Sequence, residues 1–185
     1  MRRRLLALLI AAALAALPAT AAASPGPLQA ARTLTARYHS IVQSALDGYS
    51  TAGEPCVASP FGTMGIHAVN FGLAGDLEID PLRPEILLYL PDESGDLQLV
   101  GVEYFEVALA NTESGPAPWF ATDPNDLPPL GWFNPAPSVF GQTFEGPMPG
   151  HNPSMPWHYD RHVWLWADNP DGMFATWNPS LSCPE

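Results

Sequence analysis

The chain has 185 residues, with 19 acids against 7 arginines and lysines, a formal net charge of −12. A surface of that sign repels nucleic-acid phosphates and anionic lipid, so no nucleic-acid partner is expected, whereas cations and basic partners are drawn to it.

Met1-Arg2-Arg3-Arg4 precedes an apolar run from Leu5 to Leu17, and Pro18 to Ala23 adds small residues. A basic start, a short apolar run and an A-x-A site at Ala21-Ala22-Ala23 read as a secretory signal peptide over 1–23. The run is shorter than the roughly 20 residues that span a bilayer, so no stable membrane insertion is expected after cleavage. The expected product is secreted, one domain over 24–185, or 185 − 23 = 162 residues. It keeps Arg32, Arg37, Arg83 and Arg161, has no lysine, and carries 4 − 19 = −15 charges. The two cysteines, Cys56 and Cys183, read as a disulfide in an exported chain.

Leu28, Ala31, Thr35, Tyr38, Val42, Ala45 and Tyr49 recur at spacings of three and four, which predicts one amphipathic helix over 28–49. Leu34, Ile41 and Leu46 widen the stripe, Pro27 starts the helix, Gly48 or Gly53 stops it, and His39 lies at its edge. After Cys56 the chain turns to β-rich runs. Strands are predicted at 64–71, 85–90 and 97–109, the last two joined as a hairpin through Pro91–Asp96. Eleven prolines fall between Pro116 and Pro156, so 110–157 is predicted as ordered loop that wraps the sheet as a lid or cleft wall. Its aromatics Trp119, Phe120, Trp132, Phe133, Phe140 and Phe144 give it apolar surface to bury, and 139–144 is a candidate edge strand. A strand at 162–167, a turn at Asn169–Gly172 and a last short strand at 173–177 complete the chain. The fold class expected is α+β, an N-terminal amphipathic helix on a mainly antiparallel, barrel-like sheet with a long Pro-rich excursion.

Several segments form a set: Met64-Gly65-Ile66-His67-Ala68-Val69-Asn70, Val100-Gly101-Val102-Glu103-Tyr104-Phe105, Phe140-Gly141-Gln142, His162-Val163-Trp164-Leu165-Trp166, and Trp177-Asn178-Pro179 through Cys183. Together they resemble a family of hypothetical secreted bacterial proteins. The resemblance covers almost all of residues 24–185 and implies export and one domain. It carries no known activity and so no functional residues.

No G-x-S-x-G, H-E-x-x-H, P-loop or dinucleotide glycine signature is present. The titratable residues that remain are His67, Glu103, His151, His158, Asp160 and His162. In a strand His158 and His162 are about 13 Å apart, too far to share an ion, so partners must come from other strands. His67 and Glu103 are single polar groups among small and apolar neighbours, and each needs a partner if buried. With strands about 4.8 Å apart, His67, Glu103 and His162 make a candidate two-histidine, one-carboxylate set, suited to a divalent metal such as zinc, iron or manganese. A hydrogen-bond network without an ion is the alternative, and acid–base chemistry with Glu103 as candidate catalytic residue is another. His162 abuts the apolar Val163–Trp166 run and is expected in the site itself. His158, behind Trp157, is expected at its rim. Trp164, Trp166, Asp160 and His158 are the candidate ligand-pocket residues, although tryptophans also serve as packing. The reading is a secreted small-ligand or metal-binding protein with a polar pocket at the histidine end of the sheet. An enzyme using His67, Glu103 and His162, or a purely structural module, are the alternatives.

Overall fold

The computed structural model describes residues 26–184, so the expected leader lies outside the described residues. In place of one helix over 28–49 the chain forms α1 (Pro27–Thr35), a 3-10 turn (Ala36–His39) and α2 (Ile41–Leu46). The break is at Ser40, whose backbone is extended and whose hydroxyl accepts from Gln43 N–H at 3.3 Å as an N-cap. The break turns α2 out of phase with the stripe. Ala31, Thr35, Tyr38 and Tyr49 are buried as the spacing predicts, but Ser44 faces inward on α2 while Leu34, Ile41, Val42 and Leu46 are exposed.

The strands are β1 (Cys56–Ser59), β2 (Gly62–Val69), β3 (Ile86–Pro91) and β4 (Leu97–Val107), with the one-turn helix α3 (Phe71–Ala74) between β2 and β3. Short pieces follow in the Pro-rich tract: β5 (Leu109–Ala110), β6 (Ala117–Pro118), β7 (Ser138–Val139), β8 (Gln142–Thr143) and β9 (Glu145–Met148). The last strand is β10 (His158–Val163). Six of these form one antiparallel sheet in the order β1-β2-β3-β4-β10-β9, curled into a half-barrel. The β3–β4 hairpin is present as predicted.

Three expectations are corrected. The segment 139–144 is not one strand but the β7–β8 hairpin, because Phe140 and Gly141 both take positive φ and reverse the chain. The final strand covers His158–Val163 rather than 162–167. Its ladder to β4 ends at Val163, and Trp164 N–H donates instead to the Met173 carbonyl. Residues 173–177 form no strand; they turn back so that Asn178 bridges to Thr63.

Period-two alternation sorts the side chains onto two faces. One carries Ala68, Leu87, Tyr89, Val102, Tyr104, Tyr159 and Val163, covered by Tyr38 and Tyr49 and by Trp157, Val139 and Phe144 of the Pro-rich tract. Indole N–H groups anchor that tract, Trp119 to the Asp126 carbonyl and Trp157 to that of Ala121, while Phe120 and Phe133 stay exposed. The other face carries Ile86, Leu88, Phe105 and Val107 beside Trp164. It also carries the histidines and acids described below. Gly101 on this face lets the end of β10 close in, since a Cβ there would lie 2.9 Å from the Val163 carbonyl oxygen. Cys56 and Cys183 are bridged, tying the end of the chain to β1. Among the described residues no helix is long and apolar enough to cross a membrane.

Candidate metal centre

The register of the sheet assembles the site. Ile86 on β3 lies opposite Glu103 on β4, and Glu103 lies opposite His162 on β10. His67 on β2 is paired with Leu88, one diagonal step along the same face, and its ring reaches over β3. Gly65, two residues earlier, holds φ 91°, and a Cβ there would meet the Tyr89 carbonyl oxygen at 2.7 Å, so only glycine lets β2 lie this close to β3.

The three side chains converge. His67 Nε2 is 3.1 Å and His162 Nε2 3.4 Å from the same Glu103 oxygen, Oε2, with both rings and the carboxylate buried. One donor atom from each residue lies within 4.8 Å of the others. Neighbouring donors around one ion, each about 2.1 Å from it, are separated by roughly 3.0–3.4 Å. Although 3.1 Å is within hydrogen-bond range, neither His67 Nε2 nor Glu103 Oε2 makes a well-directed hydrogen bond, and both ring nitrogens of His162 lack one too. Buried polar atoms rarely go unpaired, and here three of them, one from each residue, face one another.

Electrostatics separates the roles. Burial disfavours a charged Glu103, but the imidazoles of His162 and His67 outweigh it and hold the pKa down at about 2. Burial also works against a charged His67, yet the Glu103 carboxylate beside it raises its pKa above the usual histidine value. His162 responds the other way: desolvation dominates and pushes it down to about 4, against the pull of Glu103. The resting site is therefore an ionised carboxylate between a histidine that favours its proton and a neutral one.

His158 is not a rim residue. It is fully buried, its ring stacks on Phe105 at 4.9 Å, and its Nδ1 lies 3.2 Å from the Pro156 carbonyl oxygen. Burial pushes it down to about 4. The Pro-rich tract that precedes it folds back as β9 and pairs beside it, His158 opposite Met148. Asp160 lies between His158 and His162 on the strand, buried, with one oxygen 3.8 Å from His158 Nε2. Burial, then the charges of Glu103 and Glu145, raise its pKa well above the usual carboxylate value. His151 is the residue at the rim, with its ring centroid 6.4 Å from that of His67 and 6.0 Å from that of His158.

A pocket of about 520 Å³ opens over the site. His67, Glu103, Ile86, Phe105 and Val107 line it from the sheet, and His151 to Pro156 of the Pro-rich tract form one wall. The four residues expected to line a pocket do not line this one. His158 and Asp160 are buried in the sheet, Trp166 lies under the Arg32 guanidinium and meets His39 edge-on, and Trp164 borders a separate hollow near Asp168 and Met173. Sequence reasoning missed Val57, Phe71, Ala74 and Met155, which reach the pocket from segments with no period or motif to announce them. It also passed over Glu85, which is buried at the start of β3 with Oε2 accepting from Phe105 N–H at 3.0 Å, and which burial pushes up to about 8.

The chain matches no protein-family model, no curated protein and no solved structure.

Proposed function

We propose that this is a secreted metal-binding protein whose centre is His67, Glu103 and His162. The observation that carries the reading is the meeting of three buried donor groups, from three strands, whose facing atoms have no directed hydrogen bonds of their own. Two imidazole nitrogens and one carboxylate oxygen suit zinc, iron or manganese and leave coordination positions open. The expected leader and the Cys56–Cys183 bridge support export, and the surplus of acids favours an approaching cation. Acid–base chemistry with Glu103 as base is less well supported, because a carboxylate held near 2 is a weak base at neutral pH.

A bound ion competes with a proton for His67, whose hold on that proton Glu103 strengthens. The test is calorimetric titration of the chelator-treated protein with zinc across pH 5.5 to 8. One site whose affinity rises with pH and which releases a proton on binding is expected. No uptake at any pH would contradict the reading.

A further inference from the structure

The metal centre proposed above has an inner and an outer side. His67 and Glu103 line the pocket, whereas His162 does not and lies behind them in the sheet. An ion held between the three would have the pocket on the side of His67 and Glu103. Two neutral imidazoles and one carboxylate leave a divalent ion with one net positive charge, so its remaining positions favour one anionic oxygen donor. The walls above are of a different character. Val57, Val69, Ile86, Phe105, Val107 and Met155 are apolar, His151, Asn152 and Ser154 are the polar part of the wall from the Pro-rich tract, and among the described lining residues there is no arginine. Glu54 stands at the lining too, which disfavours a second negative charge on the ligand. The volume of about 520 Å³ lies within the roughly 300–1,000 Å³ typical of small-molecule sites.

Resting on the metal-centre reading, we infer that the pocket takes a small apolar monocarboxylate, its carboxylate on the ion held by His67, Glu103 and His162 and its hydrocarbon body against Val69, Phe105 and Val107. A charged head and an apolar tail match a site whose floor would carry a single positive charge and whose sheet side, Val57, Val69, Ile86, Phe105 and Val107, is apolar, with the polar groups of His151, Asn152 and Ser154 on the opposite wall.

Cobalt(II) serves as the reporting ion, since its visible spectrum changes when a ligand joins its coordination sphere. The cobalt-loaded protein is titrated with octanoate, acetate, succinate and octylammonium. Octanoate should change the spectrum saturably and bind at least a hundredfold tighter than acetate, with succinate no better than acetate and octylammonium silent. Ala74→Trp, which fills the pocket from α3, should keep cobalt and weak acetate binding while losing octanoate at least tenfold; Val57→Trp does the same from β1 should the first variant fail to fold. Cobalt bound but octanoate no tighter than acetate, or succinate tighter than octanoate, overturns this inference and leaves the metal centre standing. No cobalt bound at all overturns the centre itself, and the inference with it.

Discussion

His162 on β10 and Glu103 on β4 are direct cross-strand partners, and their side chains meet at 3.4 Å, both buried. Cross-strand neighbours on one face are held by the backbone ladder itself, so neither side chain has to search for the other. Glu103 is thereby fixed with an imidazole on one side and, over β3, a second from His67 on the other.

This places His162 and His158 in different roles although they share a strand face. His162→Ala should remove a donor and weaken divalent-ion binding at least a hundredfold. His158→Ala should leave ion binding near that of the native protein and cost about 2–4 kcal/mol of stability, because its stacked, fully buried ring would leave a cavity. Zinc titration and chemical denaturation of both variants separate the roles. Equal loss of zinc affinity in the two would contradict the assignment.

Glu85 makes stability depend on pH. Its pKa rises from an ordinary 4.5 to about 8 in the folded state. The folded chain therefore keeps a proton that the unfolded chain releases, so this group's contribution to stability falls as pH climbs from about 4.5 to 8 and is level above that. The full effect is on the order of 5 kcal/mol, taken from about 1.4 kcal/mol per pKa unit. Glu85→Gln can still accept from Phe105 N–H but has no proton to lose. Thermal melts at pH 5 and pH 8.5 should show the native protein losing ground to the variant as pH rises. Parallel profiles would rule this out.

The Cys56–Cys183 bridge closes a loop with a sequence separation of 127. On the chain-entropy view a bridge of this span contributes on the order of 4–5 kcal/mol through the unfolded state. Reduction should lower the melting temperature by ten degrees or more while the sheet signature in circular dichroism persists at low temperature. An unchanged melting temperature in reductant would show that the bridge restrains little.

The sequence was most legible where local pattern and local contact coincide. The β3–β4 hairpin follows from two apolar runs and a six-residue turn-rich link, and Pro27 starts α1 as its fixed φ requires. The meeting of His67, Glu103 and His162 was open to the same logic, since lone polar residues inside apolar strands must find one another if buried. What was not legible depends on long-range cover. His158 looked peripheral because it sits behind Trp157 and the Pro-rich tract, yet that tract returns as β9 and a wall over the sheet. The heptad-like stripe over 28–49 hid the break at Ser40, because periodicity records which residues are apolar and not whether a cap interrupts them. The pocket walls at Val57, Ala74 and Met155 come from three separated segments, so no window of sequence contains them together.

The most direct test of the metal centre is zinc affinity, by competition with a chromophoric chelator at pH 7.5, in the native protein and in Glu103→Gln. Glutamine keeps the shape of the side chain and removes the charge that faces both imidazoles. The account predicts one zinc per chain in the native protein and an affinity at least a hundredfold weaker in Glu103→Gln, with the variant still folded. A native protein that takes up no zinc, iron or manganese, or a Glu103→Gln protein that binds zinc as tightly as the native one, would contradict it.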